Sequence, residues 1–326
     1  MNTTRYRWTL LDAGRLLLDG GSMFGLIPRV VWSRTVPTDD KNRIAVNHNC
    51  LLLESEENDA KLGRPRRILI EAGTGDKLDP KMSAIFGLDG RTVELAVTET
   101  GFDPADIDAV IVTHLHFDHA GGLTRRCRAG ETPDWIAEPG QTSGDCPNVK
   151  RTFPNAHIWT QQREWLDALA NNSVMTRTYY RDHLLPLEDR VRLIDSALPF
   201  GPGTVVGRDA LPRIDVTRRQ METEPGVWVI RAPGHTWGQQ AIGLTDVSGQ
   251  TVVFVPDCMP TVWHVGAAYS LGYDTEPYTS MLTRHWFLEA AAQHDWLLVL
   301  DHEPHTPCCR VQRTKKGWYD LVPEKS

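Results

Sequence analysis

The chain has 326 residues, a formal net charge of −7 and a hydrophobic fraction of 40%. That length supports a large core, and the acidic balance excludes nucleic acid as the main partner, because phosphate binding needs a basic footprint. No apolar run approaches the ~18 residues of a membrane span and no hydrophobic signal segment opens the sequence, so no membrane partner is expected.

Apolar runs predict strands at residues 45–53, 68–71, 109–113, 157–160, 227–231, 251–255 and 296–300. Helical spacing predicts helices at 92–100, 161–170, 180–187 and 279–294. In the second of these, Trp165, Leu166 and Leu169 supply the apolar face. Strands and helices alternate without a break in composition, which predicts one α/β domain over residues 1–326. Two stretches, near 125–152 and 199–225, are rich in Gly, Pro and charge and read as loop insertions. The six cysteines (Cys50, Cys127, Cys146, Cys258, Cys308, Cys309) form no CxxC pair, which fits a reduced, cytoplasmic chain.

The chemistry concentrates in His114-Leu115-His116-Phe117-Asp118-His119. This segment follows the strand at 109–113 and ends in the tight turn Ala120-Gly121-Gly122. A strand end that releases into a loop can aim three imidazoles and one carboxylate at one point. Those are the groups a borderline cation such as zinc accepts. Three later residues stand after predicted strands, where the loops of an α/β sheet gather a site: His235, Asp257 and His302. His48, His157, His183, His285 and His294 fall outside any cluster and read as structural or surface residues. Cys308 and Cys309, close to His305, lack a partner cluster and read as ordinary C-terminal residues.

The order HxHxDH, GH, D, H over positions 114 to 302 resembles the metallo-β-lactamase-fold hydrolases. The resemblance implies an α/β (α+β) fold, the four-layer αββα metallo-β-lactamase sandwich. It also implies a centre of two divalent metal ions, with zinc the default and manganese, iron or cobalt compatible. One ion would be held by His114, His116 and His235. The other would be held by Asp118, His119 and His302, with Asp257 bridging. His116 stands where redox di-iron members carry Glu, and a bridging Asp257 is unlike true β-lactamases, so hydrolysis of another substrate is expected. The strand-end acid usually presented as Asp-x-Gly is Glu71-Ala72-Gly73 here. Glu71 and Asp301 are expected to hydrogen-bond the ligand imidazoles from outside.

Three segments are similar to the quorum-quenching N-acyl homoserine lactonases, in the YtnP-like branch. They are Gly21-Ser22-Met23-Phe24-Gly25 with Pro28 and Trp32, the run from Thr113 to Gly122, and Asp257-Cys258-Met259-Pro260-Thr261 with His264, Tyr273, Asp274 and Pro277. The resemblance implies a small-molecule lactone or ester as substrate, opened by a hydroxide activated between the two metals, with Asp118 or Asp257 donating the proton to the leaving alkoxide. It allows a homodimer. Met23, Phe24, Trp237, Met259 and Trp263 are candidates for an apolar acyl pocket, and His264 for a substrate-facing donor; packing in the core or in loop bases is the competing reading for each. Better-known lactonases carry Tyr three residues after the bridging Asp; here that residue is Pro260. Tyr269, Tyr273 and Tyr278 are its candidate replacements. Three alternatives stay open: an organophosphate triesterase resembling methyl parathion hydrolase, a thioester hydrolase resembling glyoxalase II, and a non-catalytic binding protein on the same fold.

Overall fold

The computed structural model describes residues 3–170, 178–200 and 215–324. The chain divides into two units. The first comprises Tyr6–Leu17 and Asn47–Ile194; the second comprises Met1–Arg5, Leu18–Val46 and Asp195–Ser326.

The strands of the first unit, in chain order, are β1 (Tyr6–Asp19), β2 (Arg43–Asn58), β3 (Pro65–Ile70), β4 (Ala109–Ile111), β5 (Thr124–Arg126), β6 (Trp135–Ile136), β7 (Asn148–Arg151), β8 (His157–Gln161) and β9 (Val191–Ile194). Six of them form one sheet in the order β1-β2-β3-β4-β8-β9. β2 and β3 run antiparallel with Leu52 opposite Leu69, and the ladders from β3 through β4 and β8 to β9 are parallel. Parallel strands covered on both faces read as unbroken apolar runs. β4 and its continuation show this: Ala109, Val110, Ile111 and Val112 are all fully buried. Leu52, Leu69, Val110, Val112 and Ile158 share one core with Val93, Ala96 and Val97 of the helix Val93–Glu99 and Trp165 and Ala168 of the helix Gln162–Ala170. The Thr92 side chain accepts from the Leu95 amide and starts the first of these helices.

The second unit holds β10 (Met221–Glu224), β11 (Val227–Arg231), β12 (Gln240–Thr245), β13 (Thr251–Val255), β14 (Leu297–Leu300), β15 (Cys308–Arg313) and β16 (Tyr319–Pro323), paired in that order. Every pairing is antiparallel except β13 with β14. A parallel pair needs a crossover, and the helix Pro277–His294 provides it. Its Trp286, Phe287, Ala290 and Ala291 pack with Trp228, Ile230, Val253, Val255, Leu298 and Leu300.

The predicted strands at 227–231 and 251–255 match β11 and β13 in their bounds. The predicted helix at 180–187 is a helical turn, Arg181–Leu184, followed by a 3-10 turn, Leu185–Leu187. Pro186 has no N–H and cannot continue the α-helix. The stretch at 125–152 is not featureless: β5, β7 and β6 form a three-stranded antiparallel sheet. Arg125 pairs with Glu131 at 2.7 Å, and Arg126 reaches the carbonyls of Asp76, Lys77 and Leu78. Residues 201–214 of the second expected insertion lie outside the described residues. Among the described residues, no helix is long and apolar enough to cross a membrane.

Leu69 is fully buried at the centre of the first core, whereas Leu166 is 52% exposed. Leu69→Ala is therefore expected to lose about 2–5 kcal/mol in urea unfolding, and Leu166→Ala to stay within about 0.5 kcal/mol of the parent.

Candidate metal centre

In the first unit the chain leaves β4 and delivers four candidate metal ligands, His114, His116, Asp118 and His119, within six residues. The rings of His114 and His116 lie 4.5 Å apart and those of His114 and His119 lie 3.9 Å apart. Asp118 and His119 sit on the helical turn Phe117–Ala120. The three imidazoles are buried, and the Asp118 side chain retains 11% exposure. Two buried carboxylates hold the loop. Glu71 accepts the Thr113 amide at 2.6 Å through one oxygen, and its other oxygen lies 3.4 Å from His119 Nδ1. Glu164 accepts the Leu115 amide and the Tyr179 hydroxyl, each at 3.0 Å. With Nδ1 turned to Glu71, His119 directs Nε2 towards the Asp118 side, where it stands 3.9 Å from the carboxylate.

Two glycines make this loop possible. A Cβ on Gly121 would stand 2.1 Å from the Thr74 carbonyl oxygen, and one on Gly122 would stand 2.0 Å from that of Ala72. Residues 72–74 and the end of the ligand loop are thus in direct main-chain contact, tied by Ala72 N–H to His119 O and Gly122 N–H to Gly73 O. Glu71 itself has φ of 68°, a left-handed conformation costly for a side chain of that size.

In the second unit His235 follows β11, Asp257 follows β13 and His302 follows β14. Asp257 lies between the two imidazoles: one oxygen is 3.1 Å from His235 Nε2 and the other is 3.4 Å from His302 Nε2. His235 Nδ1 donates to Asp274 at 3.0 Å. That bond fixes the tautomer and leaves the Nε2 lone pair for a cation. Asp274 is itself held by the Leu271 amide at 2.9 Å. Asp301 also brings a carboxylate oxygen within 4.8 Å of the ligand atoms of Asp257 and His302. Pro260 presents its carbonyl to the His302 amide at 3.1 Å. This unit buries Asp257, Asp274, Asp301 and Glu303. Its most deeply buried cation, Arg284, donates to the main-chain carbonyls of Cys258, Ala267 and Tyr269 rather than to those acids. Buried carboxylates require a compensating positive charge, so the donor set suits a divalent cation.

The other residues named from sequence are placed as follows. His264 is fully buried and stacks on Phe24 at 5.1 Å. Its Nε2 donates to Met23 O at 2.7 Å and its Nδ1 lies 2.8 Å from the Thr261 hydroxyl. Both ring nitrogens are engaged inside the protein, which leaves neither for a substrate. Phe24 also packs on Trp32 at 4.8 Å and lies 6.4 Å from Trp263. Met23 and Phe24 are buried, and Met259 is part of the core of the second unit. Trp237 and Trp263 are half-buried. Tyr269 packs edge-on to Phe24, whereas Tyr273 and Tyr278 are exposed. His48 bonds Gly14 O and the Thr74 hydroxyl, and His183 bonds Ser143. The sequence reading did not assign Asp274, Glu164 or Tyr179. Of these, Asp274 alone stands in a segment similar to the lactonases, the third, beside Tyr273 and Pro277.

The sequence profile of the metallo-beta-lactamase superfamily matches residues 44–235, more than half of the chain. The chain belongs to the metallo-beta-lactamase superfamily. Its mixed α/β architecture is that of the metallo-β-lactamase fold. A probable metal-dependent hydrolase from Staphylococcus aureus superposes with a TM-score of 0.74 at 23% identity, covering 100% of both chains. AidC, a dizinc quorum-quenching lactonase solved with the product N-hexanoyl-L-homoserine, superposes with a TM-score of 0.67 at 16% identity over 100% of this chain and 99% of AidC. Among curated proteins, the N-acyl homoserine lactonase AttM of Agrobacterium fabrum is 33% identical over 89 residues, 23% of this chain and 32% of AttM. AttM of Azorhizobium caulinodans is 35% identical over 75 residues, 19% of this chain and 28% of AttM. The chain thus matches about a third of the length of these curated relatives.

Two predictions follow from the geometry of this superfamily member. Asp274→Asn is expected to weaken metal binding by about 10–100-fold, measured by chelator competition, while the urea midpoint of the metal-free protein changes little. Burial pushes the His264 imidazole down to about 4 from 6.5, against the opposing effect of its bond to Met23. The folded state then resists protonation that the unfolded chain accepts, so His264 contributes stability above pH 6.5 that is lost as pH falls towards 4. The loss amounts to about 3 kcal/mol. His264→Gln should flatten that part of the stability–pH curve in urea titrations.

Proposed function

We propose that the chain is a dinuclear metal-dependent hydrolase that opens the lactone ring of N-acyl homoserine lactones. The observation that carries this reading is Asp257 standing between His235 and His302, with Asp274 fixing the His235 tautomer. An acid bracketed by two imidazoles is the bridging element a two-metal site needs. In this reading His114, His116 and His235 hold one ion, Asp118, His119 and His302 hold the other, and Asp257 bridges. The ligand types favour zinc, with manganese, iron or cobalt able to take the same donors. The partial similarity to AttM and the shared fold with AidC support the lactone as substrate.

Bound there, two such ions supply Lewis acidity and lower the pKa of water towards neutrality. The protein does the rest. Glu71 and Asp274 orient His119 and His235 from outside. Asp118 keeps part of its side chain open to solvent, which suits it to pass the proton to the departing ring oxygen; Asp257 is the second carboxylate placed for that step. Trp237 and Trp263 offer half-buried apolar surface for an acyl chain, with Phe24 beside Trp263.

Pro260 favours one second reading, a phosphotriester substrate, because it removes the Tyr side chain that better-known lactonases carry at that place. The zinc-loaded protein is expected to release acid from a medium-chain N-acyl homoserine lactone in weak buffer, and His116→Ala to lose that activity by more than about a hundredfold. Turnover of a phosphotriester in place of the lactone, by protein that holds its metal, would overturn the lactone assignment.

A further inference from the structure

Lys77 is 1% exposed, and its ammonium donates to the carbonyls of Gly121 at 2.5 Å and Thr124 at 2.6 Å. Among the described residues it forms no ion pair. A buried charge is costly; the nearby carboxylates of Asp182 and Asp76 and the two hydrogen bonds offset that cost, and charged donors make such bonds about twice as strong as neutral ones. Burial lowers its pKa to about 8, which leaves it mostly protonated at neutral pH. The residue is boxed in: Arg126 binds its carbonyl at 3.2 Å, and a Cβ on Gly144 would stand 2.2 Å from the same oxygen.

The position of those two carbonyls matters. Gly121 directly follows the helical turn Phe117–Ala120 that carries Asp118 and His119. The earlier half of the ligand loop has separate anchors, since Thr113 is held by Glu71 and Leu115 by Glu164. His114 and His116 therefore keep their supports when Lys77 is lost, whereas the turn of Asp118 and His119 keeps the bonds of Ala72 N–H to His119 O and Gly122 N–H to Gly73 O but loses the clamp on its C-terminal side.

We propose that Lys77 is a positioning residue whose clamp on Gly121 and Thr124 sets the affinity of one metal position, that of Asp118, His119 and His302, and not of the other. The inference rests on the dinuclear reading above. Its function is to hold the ligand turn in place before any metal arrives.

The test is a cobalt(II) titration of the metal-free protein, followed by visible absorbance and metal count, for the parent and Lys77→Met. Methionine keeps the length and removes the charge and donors. The parent should bind two equivalents. Lys77→Met should bind the first within about twofold of the parent and the second at least about tenfold more weakly. Equal weakening of both equivalents, as general loosening of the fold would give, overturns the inference, and so does an unchanged second equivalent. A parent that takes up fewer than two cobalt ions overturns the dinuclear reading itself, and this inference with it. A second measurement needs no variant. In the metal-free parent the amides of residues 113–124 should exchange slowly with deuterium, because side chains hold the segment; fast exchange that slows only on adding cobalt overturns the proposal.

Discussion

The ligand loop between β4 and β5 has a backbone that belongs to no sheet for most of its length, and its polar groups are buried. Each must find a partner or cost about 1–3 kcal/mol. The chain solves this with charged side chains that are themselves buried: Glu71 for the Thr113 amide, Glu164 for the Leu115 amide, and Lys77 for the Gly121 and Thr124 carbonyls. These groups come from the β3 end, from the helix Gln162–Ala170 and from the segment after Glu71, so the sheet order that places those elements beside β4 is what makes the loop stable. The main-chain contact of Gly121 and Gly122 with residues 72–74 leaves no room for slack.

The second unit meets a related problem with a different balance of charge. Arg284, 2% exposed, clamps main-chain carbonyls around the loop that follows Asp257, much as Lys77 does in the first unit. The acids Asp257, Asp274 and Asp301 are left facing imidazoles and one another. A fold that buries this much negative charge beside imidazoles is poised for a cation. Oriented imidazoles make the same point: with Asp274 on Nδ1 and Asp257 near Nε2, His235 has its lone pair aimed before any ion binds.

Much of this was legible in the sequence, for a physical reason. Metal chemistry demands particular side chains, so HxHxDH and the strand-end His235, Asp257 and His302 stand out without coordinates. Strands buried along nearly their whole length demand unbroken apolar runs, so the bounds of β11 and β13 follow from the sequence. β1 was not, because its sequence mixes Arg, Asp and Gly into a strand whose two sides alternate irregularly between buried and exposed. The supports of the site were not legible either. Lysine and glutamate are usually exposed, and nothing local marks Lys77 or Glu164 as interior. His264 misled for the opposite reason: its place after Met-Pro-Thr suggested substrate, while its bonds to Met23 and Thr261 are formed only in three dimensions.

The central claim is that one chain assembles two metal positions from these donors. Anomalous diffraction at the zinc edge, from crystals of the zinc-reconstituted protein, tests it most directly. The account predicts two peaks, one against His114, His116 and His235 and one against Asp118, His119 and His302, with Asp257 touching both. A single peak, or none at these residues, would contradict it.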